Sequence, residues 1–360
     1  MTFGGMFRAV STMTAAGIGM AIAVPAQAAA PVPGPIESYR DWVVGCDNIG
    51  SCTAASLFPE KESGAQGGMT VYVRRDAGPA ADPRIELLLP EEHDGPVDLL
   101  VDGVKFASAQ AQGNSAPVAP AASAELVKGM VRGMVLSASA RGRTLGAASL
   151  SGASAALRYM DAQQGRAGTV TGLVAKGRLR ADAVRAAGSL PSVSHLPVPQ
   201  GLPQPSALWR EERGRALALS GCGAEQGPTQ EAQIARLSEK EELVLIPCGA
   251  GAYNFSSVPL IATGQAGRRA FRLARFDSQP GWSEPGGPPM LVNAGWDATL
   301  ATLSSFAKGR GLGDCGSAES YVWDGSVFRL VELRRMDQCR GAWEWITLWR
   351  ARPVVATGKK

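Results

Sequence analysis

Six cysteines, at positions 46, 52, 222, 248, 315 and 339, limit what this chain can fold into more than any other feature, because of what precedes them. Residues 1–28 carry Arg8, an apolar run over 13–24 and then Ala26-Gln27-Ala28. That is the basic, apolar and small-x-small pattern of a secretory signal. The expectation is cleavage after Ala28 and a periplasmic or secreted mature chain. A membrane anchor would need about 20 strongly apolar residues, and this run is shorter and interrupted by Gly and Thr. No later stretch is apolar enough to span a bilayer, so no transmembrane segment is expected in the mature chain. In an oxidising compartment an even cysteine count reads as a disulfide framework. Many connectivities are open, and the expectation is nearest-neighbour pairing: Cys46 with Cys52, Cys222 with Cys248, Cys315 with Cys339. In the chain-entropy picture each such staple contributes about 2.5–3.5 kcal/mol. Zinc needs close Cys or His pairs; none exists, and His93 and His195 lie far from every cysteine in sequence, so no metal site is expected.

Charge excludes one class of partner. The chain has 36 Lys and Arg against 32 Asp and Glu, and removing residues 1–28 takes away Arg8 and no acid. Nucleic-acid binding calls for a clustered basic face. The short basic stretches at 176–180 and 210–215 read as solvated surface, so no nucleic-acid partner is expected.

The fold class expected is α+β, with two mainly antiparallel β domains. The proposed division is an N-terminal α+β domain over 35–181, a linker over 182–206 and a β-rich, disulfide-stapled C-terminal domain over 207–353. The linker reading rests on five prolines between 191 and 205, which favour an extended connector. In the first half, residues 41–46, 71–73, 85–89 and 97–101 alternate or run apolar as strands do. Asp102-Gly103 is a hairpin turn signal. Helices are expected over 125–134 behind Ser123, and after Ser151 with Ala155, Leu157 and Met160 inward. In the second half one helix is expected over 229–237. Strands are expected over 243–247, 269–276, 321–323, 326–333 and 345–349, with a hairpin at Asp324-Gly325. Six of the eight tryptophans, at 282, 296, 323, 343, 345 and 349, crowd this end and read chiefly as core, with a glycan-stacking platform as the lesser reading.

The catalytic motifs are weak. Gly311-x-Gly313-x-x-Gly316 has the letters of a dinucleotide fingerprint, but it precedes a strand rather than a helix. A glycine turn accommodating a disulfide is the better reading, and no cofactor is expected. There is no Gly-x-Ser-x-Gly elbow, and His93 and His195 read as exposed spectators. Asp and Glu are abundant, and glycoside hydrolysis needs only two of them. The most suggestive polar patch is Tyr159, Asp161, Gln164 and Arg166, at a helix end closed by Gly165. A capped terminus with an Asp/Arg pair is its plain reading, and a recognition surface its functional one.

Trp42-Val43-Val44-Gly45-Cys46-Asp47-Asn48 with Cys52, the run 150–157 leading to Asp161 and Gln164-Gly165-Arg166, residues 308–316, Val322-Trp323-Asp324-Gly325 and Cys339-Arg340-Gly341 resemble the uncharacterised secreted bacterial family DUF1176. The N-terminal half also distantly resembles invasion-associated locus B proteins, through the Trp-x-Val-x-Cys opening and Ser149-Leu150-Ser151-Gly152-Ala153. These likenesses imply an envelope role and carry over no catalytic residue. The functional expectation is a non-enzymatic module binding an envelope protein or a cell-wall component. The alternatives are an envelope hydrolase using Asp and Glu between the domains, and glycan binding through the C-terminal tryptophans.

Overall fold

The computed structural model describes residues 1–2, 30–62, 68–223 and 231–356; residues 3–28 of the expected signal segment lie outside the described residues. From Pro31 onward the chain forms one compact unit, built of mainly antiparallel sheets.

The run Trp42-Val43-Val44-Gly45-Cys46 explains how the two halves meet. A strand buried on one face alternates apolar and polar residues; one buried on both reads as a continuous apolar run. Strand Trp42–Cys46 is buried at every position. Trp42, Val44 and Cys46 enter a core made by the N-terminal half. Val43 joins Ala55, Leu57 and Tyr72 in a second core with Leu330, Ile346 and Leu348. Gly45 shares that second face, where a Cβ would stand 2.8 Å from Leu348 Cδ2 and 2.9 Å from Ile346 Cγ2, so the close approach of the C-terminal strand requires glycine. The halves set apart in the sequence reading thus pack on a common apolar core.

On the first face, an antiparallel sheet runs in the order Ile36–Tyr39, Trp42–Cys46, Cys52–Ser56, Thr70–Arg75, Arg84–Leu88 and Ser115–Pro117. A second sheet, ordered Arg143–Ser149, Val135–Ala140, Gly95–Val101 and Val104–Ala111, closes the N-terminal core with helices α1 (Pro120–Met130) and α2 (Ala153–Gln163). Val101 pairs with Val104 across Asp102 and Gly103, both at positive φ (49° and 82°), the two-residue hairpin that this dipeptide favours. Helix α1 begins at Pro120, a residue suited to a first turn, and ends at Met130, before the expected end at 134. Ser123 lies inside it, bonding back to the carbonyls of Val118 and Ala119, and does not cap it. Nor does Ser151 cap α2. Its N-cap is Gly152 at φ 99°, where a Cβ would meet the Tyr39 carbonyl oxygen at 1.8 Å.

Two larger sheets build most of the C-terminal half. One orders Gln233–Arg236, Glu241–Ala250, Phe255–Thr263 and Ala270–Leu273; the other orders Gly295–Asp297, Thr302–Lys308, Gly316–Trp323, Phe328–Met336 and Ile346–Arg350. The helix expected over 229–237 is corrected. Residues 233–236 are a strand paired with Glu241–Ala250, tertiary pairing having overridden helix-favouring composition, and 229–230 lie outside the described residues. The basic stretch at 210 instead forms α3 (Arg210–Ser220). Glu212 holds the helix in place by pairing with the buried Arg269 at 3.0 Å, which also takes Glu242 at 2.8 Å. Asp324-Gly325 opens a four-residue loop, since Trp323 pairs with Phe328; Asp324 Oδ1 accepts the Ser326 and Val327 N–H groups, both at 2.7 Å.

Within 182–206, strand Ser192–His195 pairs in parallel with Arg352–Val355, and His195 is buried with Nδ1 against the Leu196 carbonyl at 3.0 Å. It is therefore not the exposed spectator expected. The three disulfides join Cys46 to Cys52, Cys222 to Cys248 and Cys315 to Cys339.

Candidate functional site

The last disulfide leads into the segment that carries the most conspicuous surface. Arg340, next to Cys339, is buried and reaches across to the N-terminal half, donating from Nε to the Phe58 carbonyl at 2.7 Å and from Nη1 to the Arg40 carbonyl at 2.8 Å, and pairing with Asp41. Gly341 follows at φ 83°, where a Cβ would stand 2.4 Å from the Phe58 ring. Its N–H donates to Asp314 Oδ2 at 2.7 Å, and its carbonyl accepts from Thr70 Oγ1 at 2.9 Å. The Glu344 N–H donates to the Tyr72 hydroxyl at 2.8 Å. Anchored at both ends by the N-terminal half and at Gly341 also by Asp314, the loop buries Ala342 and presents Trp343, which is 49% exposed.

Trp343 stands between two concavities. On one side is an apolar cavity of about 430 Å³, walled by Phe58, Leu88, Leu89, Pro90 and Leu312, with Arg310 and Asp314 at its polar edge. On the other is a groove of about 580 Å³ that crosses from Asp47, Arg74 and Arg84 in the first half to Glu332, Arg334 and Arg350 in the second. The Phe306 and Trp345 rings stack on its wall with centroids 4.7 Å apart. Each of these arginines has an acidic partner: Arg84 bonds Asp76 at 2.6 Å, Arg74 takes Glu86 at 2.9 Å and also Glu344, Arg334 lies 3.7 Å from Glu332, and Arg350 donates to Asp47 at 2.7 Å. The Arg84 hydrogen bond holds the Asp76 carboxyl below its ordinary range. Such carboxylates are engaged acceptors, poorly suited to delivering protons. The surface offers an apolar socket, an aromatic ridge and a charge-balanced polar floor.

The polar patch at the end of α2 lies elsewhere and faces inward. Asp161, Gln164 and Arg166 are buried. Asp161 accepts the N–H groups of Leu173, Val174 and Ala175 at 2.8–3.0 Å. Gln164 Nε2 donates to the carbonyls of Gly50 and Arg75, both at 2.9 Å. Arg166 donates to Gln164 Oε1 at 3.0 Å and to the Gly78 carbonyl, and burial pulls its pKa down. The salt bridge of Asp161 is to Arg75, at 3.9 Å, rather than to Arg166. Tyr159 is half-buried beside Tyr39. Together these groups stitch the 50–52 and 76–78 loops to α2, which is a brace and not an open face.

Other sequence candidates fall out on geometry. With all six sulfurs in disulfides, none is a nucleophile. Gly311, Gly313 and Gly316 form the turn into strand Gly316–Trp323. Beside it, a Cβ on Gly309 would meet Cys315 Sγ at 2.7 Å. His93 and His195 are not brought together with a serine and a carboxylate in any hydrogen-bonded triad among the described residues. Nor do three His, Cys, Asp or Glu gather there in a way that could hold a metal. Trp343 and its flanking concavities were missed as a site from sequence. The density of tryptophan near Gly341 was the available sign, but exposure depends on contacts with residues about 270–300 positions away.

Comparison with known proteins gives a family without an activity. The chain is 30% identical over 340 residues to the uncharacterized protein YpfG of Escherichia coli (strain K12), covering 88% of this chain and 93% of that protein. No solved structure matches. A model of the proteins of unknown function DUF1176 matches residues 36–352, nearly the whole of the described body, and the chain belongs to that family.

Proposed function

We propose that the protein is an exported, non-enzymatic binding module of the bacterial envelope, its signal cleaved after Ala28, and that an envelope protein docks on the Trp343 surface. One observation carries this reading: a tryptophan held half-exposed by a locked loop between an apolar socket and a groove of paired arginines. Hot spots at protein interfaces are enriched in tryptophan, tyrosine and arginine and sit in well-packed pockets with a polar surround. Three disulfides fit an oxidising compartment, and no helix among the described residues is long and apolar enough to cross a membrane. The hydrolase alternative is weakened because the acids of the groove are bonded to guanidinium groups.

Glycan binding is the second reading, favoured by the exposure of Trp282 and Trp343. Photo-crosslinking in the living envelope separates the two. A crosslinking residue at position 343 or 312 is expected to give one discrete protein adduct, and one at Val104, exposed on the distant Asp102-Gly103 hairpin, is expected to give none. Adducts to wall glycan alone would select the second reading. Indiscriminate adducts from all three positions would remove both.

A further inference from the structure

Among the described residues the buried acids are Asp47, Asp161, Glu212, Glu242, Asp314 and Glu319. The first five each have an arginine partner: Arg350, Arg75, Arg269 for both glutamates, and Arg310. Glu319, 4% exposed, has no salt bridge. It lies on strand Gly316–Trp323, two residues before Tyr321, with a register irregularity between Ser320 and Tyr321. The Tyr321 hydroxyl is buried and has no hydrogen-bond partner.

Glu319 and Tyr321 line a cavity of about 510 Å³ together with Ser278, Gln279, Gly281 and Arg335. The Gly281 N–H donates to Glu319 Oε1 at 3.2 Å, and a Cβ there would stand 2.9 Å from that oxygen, so the backbone closes tightly over the carboxylate. Trp282, 45% exposed, forms part of the lining. The charged groups nearby are already occupied. Arg335, on the adjacent strand, bonds Asp337 at 2.9 and 3.0 Å. Asp277 accepts the Leu330 N–H at 2.9 Å and lies 3.7 Å from Arg329. Ser305 and Ser317 support the Glu319 carboxylate from neighbouring positions, yet burial still pushes its pKa up. Burial also pushes the Tyr321 hydroxyl well up, which keeps it neutral.

We propose that this cavity binds an alkylammonium group, which pairs with Glu319 and donates to the Tyr321 hydroxyl oxygen while its methylene chain lies against Trp282. An anion would meet Glu319 and Asp337, and the cationic group of the lining, Arg335, is already engaged by Asp337. A neutral alcohol would satisfy Tyr321 but leave the desolvated carboxylate with only the Coulombic attraction of Arg335, which is not enough to offset its burial. An ammonium supplies both the charge and several donors in a compact head, and its stem suits an aromatic face. A guanidinium fits less well, because its planar fork calls for both carboxylate oxygens and Gly281 already occupies Oε1. The same chemistry occurs in free alkylamines and in lysine side chains of a partner protein.

Isothermal titration of the purified, oxidised protein tests this with cadaverine, Nα-acetyl-lysine amide and the neutral isostere 1,5-pentanediol. Saturable binding of an amine is expected, with the diol at least about tenfold weaker. Glu319→Gln should weaken amine binding at least about tenfold, and Tyr321→Phe about three- to tenfold, as befits a lost hydrogen bond to a charged group. Trp343→Ala should leave it unchanged, which keeps this site separate from the protein-docking surface. Tighter binding of cadaverine marks a free amine as the source, and tighter binding of the lysine amide a protein side chain. Absence of saturable amine binding by the unmodified protein, equal binding of the diol, or undiminished binding by a folded Glu319→Gln variant would overturn the proposal. The comparison of amine with diol needs no variant, so the test holds even if a substitution unfolds the chain.

Discussion

Glu319 and Asp314 lie five residues apart, and the fold treats their charges in opposite ways. Both are buried. Burial raises the pKa of Asp314, but Arg310 and the Gly341 N–H outweigh it and leave the carboxyl below its ordinary range. Burial of Glu319 is not outweighed, and its pKa ends up raised. The linkage signs follow. Asp314 contributes stability that is present above its unfolded pKa and lost as pH falls through the lower folded value. Glu319 contributes stability that is present below its unfolded pKa and lost as pH rises through the higher folded value. Asp314→Asn should therefore cost about 1.5–3 kcal/mol at pH 7, the range for hydrogen bonds to a charged group, and less in acid. Glu319→Gln should raise Tm by about 2–4 °C at pH 7, a gain that disappears near pH 4. Thermal melts of both variants across pH check this, and a destabilised Glu319→Gln at pH 7 would mean that the carboxylate is already compensated. Asp161 and Arg166 were singled out in the sequence for their chemical types, yet they serve the interior. Glu319 was not singled out, because nothing in its neighbours reveals that it alone among the buried acids of the described residues has no salt bridge to an arginine.

At the scale of elements, the legible parts were those decided locally. Asp102-Gly103 specifies its hairpin through positive φ, and α2 appears where a small-residue run follows Gly152, although a glycine at its start takes the place of the serine cap. Elements decided by distant partners were misread. Residues 233–236 look helical until the strand Glu241–Ala250 pairs with them, and α3 looks like charged surface until Glu212 meets Arg269, 57 positions away. The nearest-neighbour disulfides were legible because cysteines close in sequence tend to end facing strands, as Cys46 and Cys52 do. The Cys315–Cys339 bridge, with a sequence separation of 24, holds the glycine turn against the root of the Trp343 loop. Replacing both cysteines by serine should lower stability by about 3 kcal/mol, measured by denaturant midpoint. A much smaller loss would assign the rigidity of the turn to the Arg310, Asp314 and Gly341 bonds instead.

For the whole molecule, the decisive sequence is Trp42-Val43-Val44-Gly45-Cys46, whose two faces serve two cores. The proline-rich stretch drew attention to a boundary, while the joint itself lay in a run of apolar residues that reads equally well as one ordinary strand. Asn48 strengthens that joint by bonding both backbone groups of Arg350, at 2.9 and 2.8 Å, and the Gly34 N–H donates to the Leu348 carbonyl at 2.9 Å. A shared core and backbone bonds across the halves should make unfolding one cooperative event. Scanning calorimetry is expected to give a single transition with matching calorimetric and van't Hoff enthalpies, and two resolved transitions would show the halves melting separately. The same joint builds the surface to which a function is assigned, since Phe58 and Leu88 come from one half and Leu312 and Trp343 from the other. The most direct measurement is the affinity of the protein partner captured through position 343, titrated against the unmodified chain and Trp343→Ala. A central aromatic hot spot predicts a loss of at least about 30-fold, corresponding to about 2 kcal/mol. An affinity within about twofold of the unmodified protein would contradict the assignment of the Trp343 surface as the binding face.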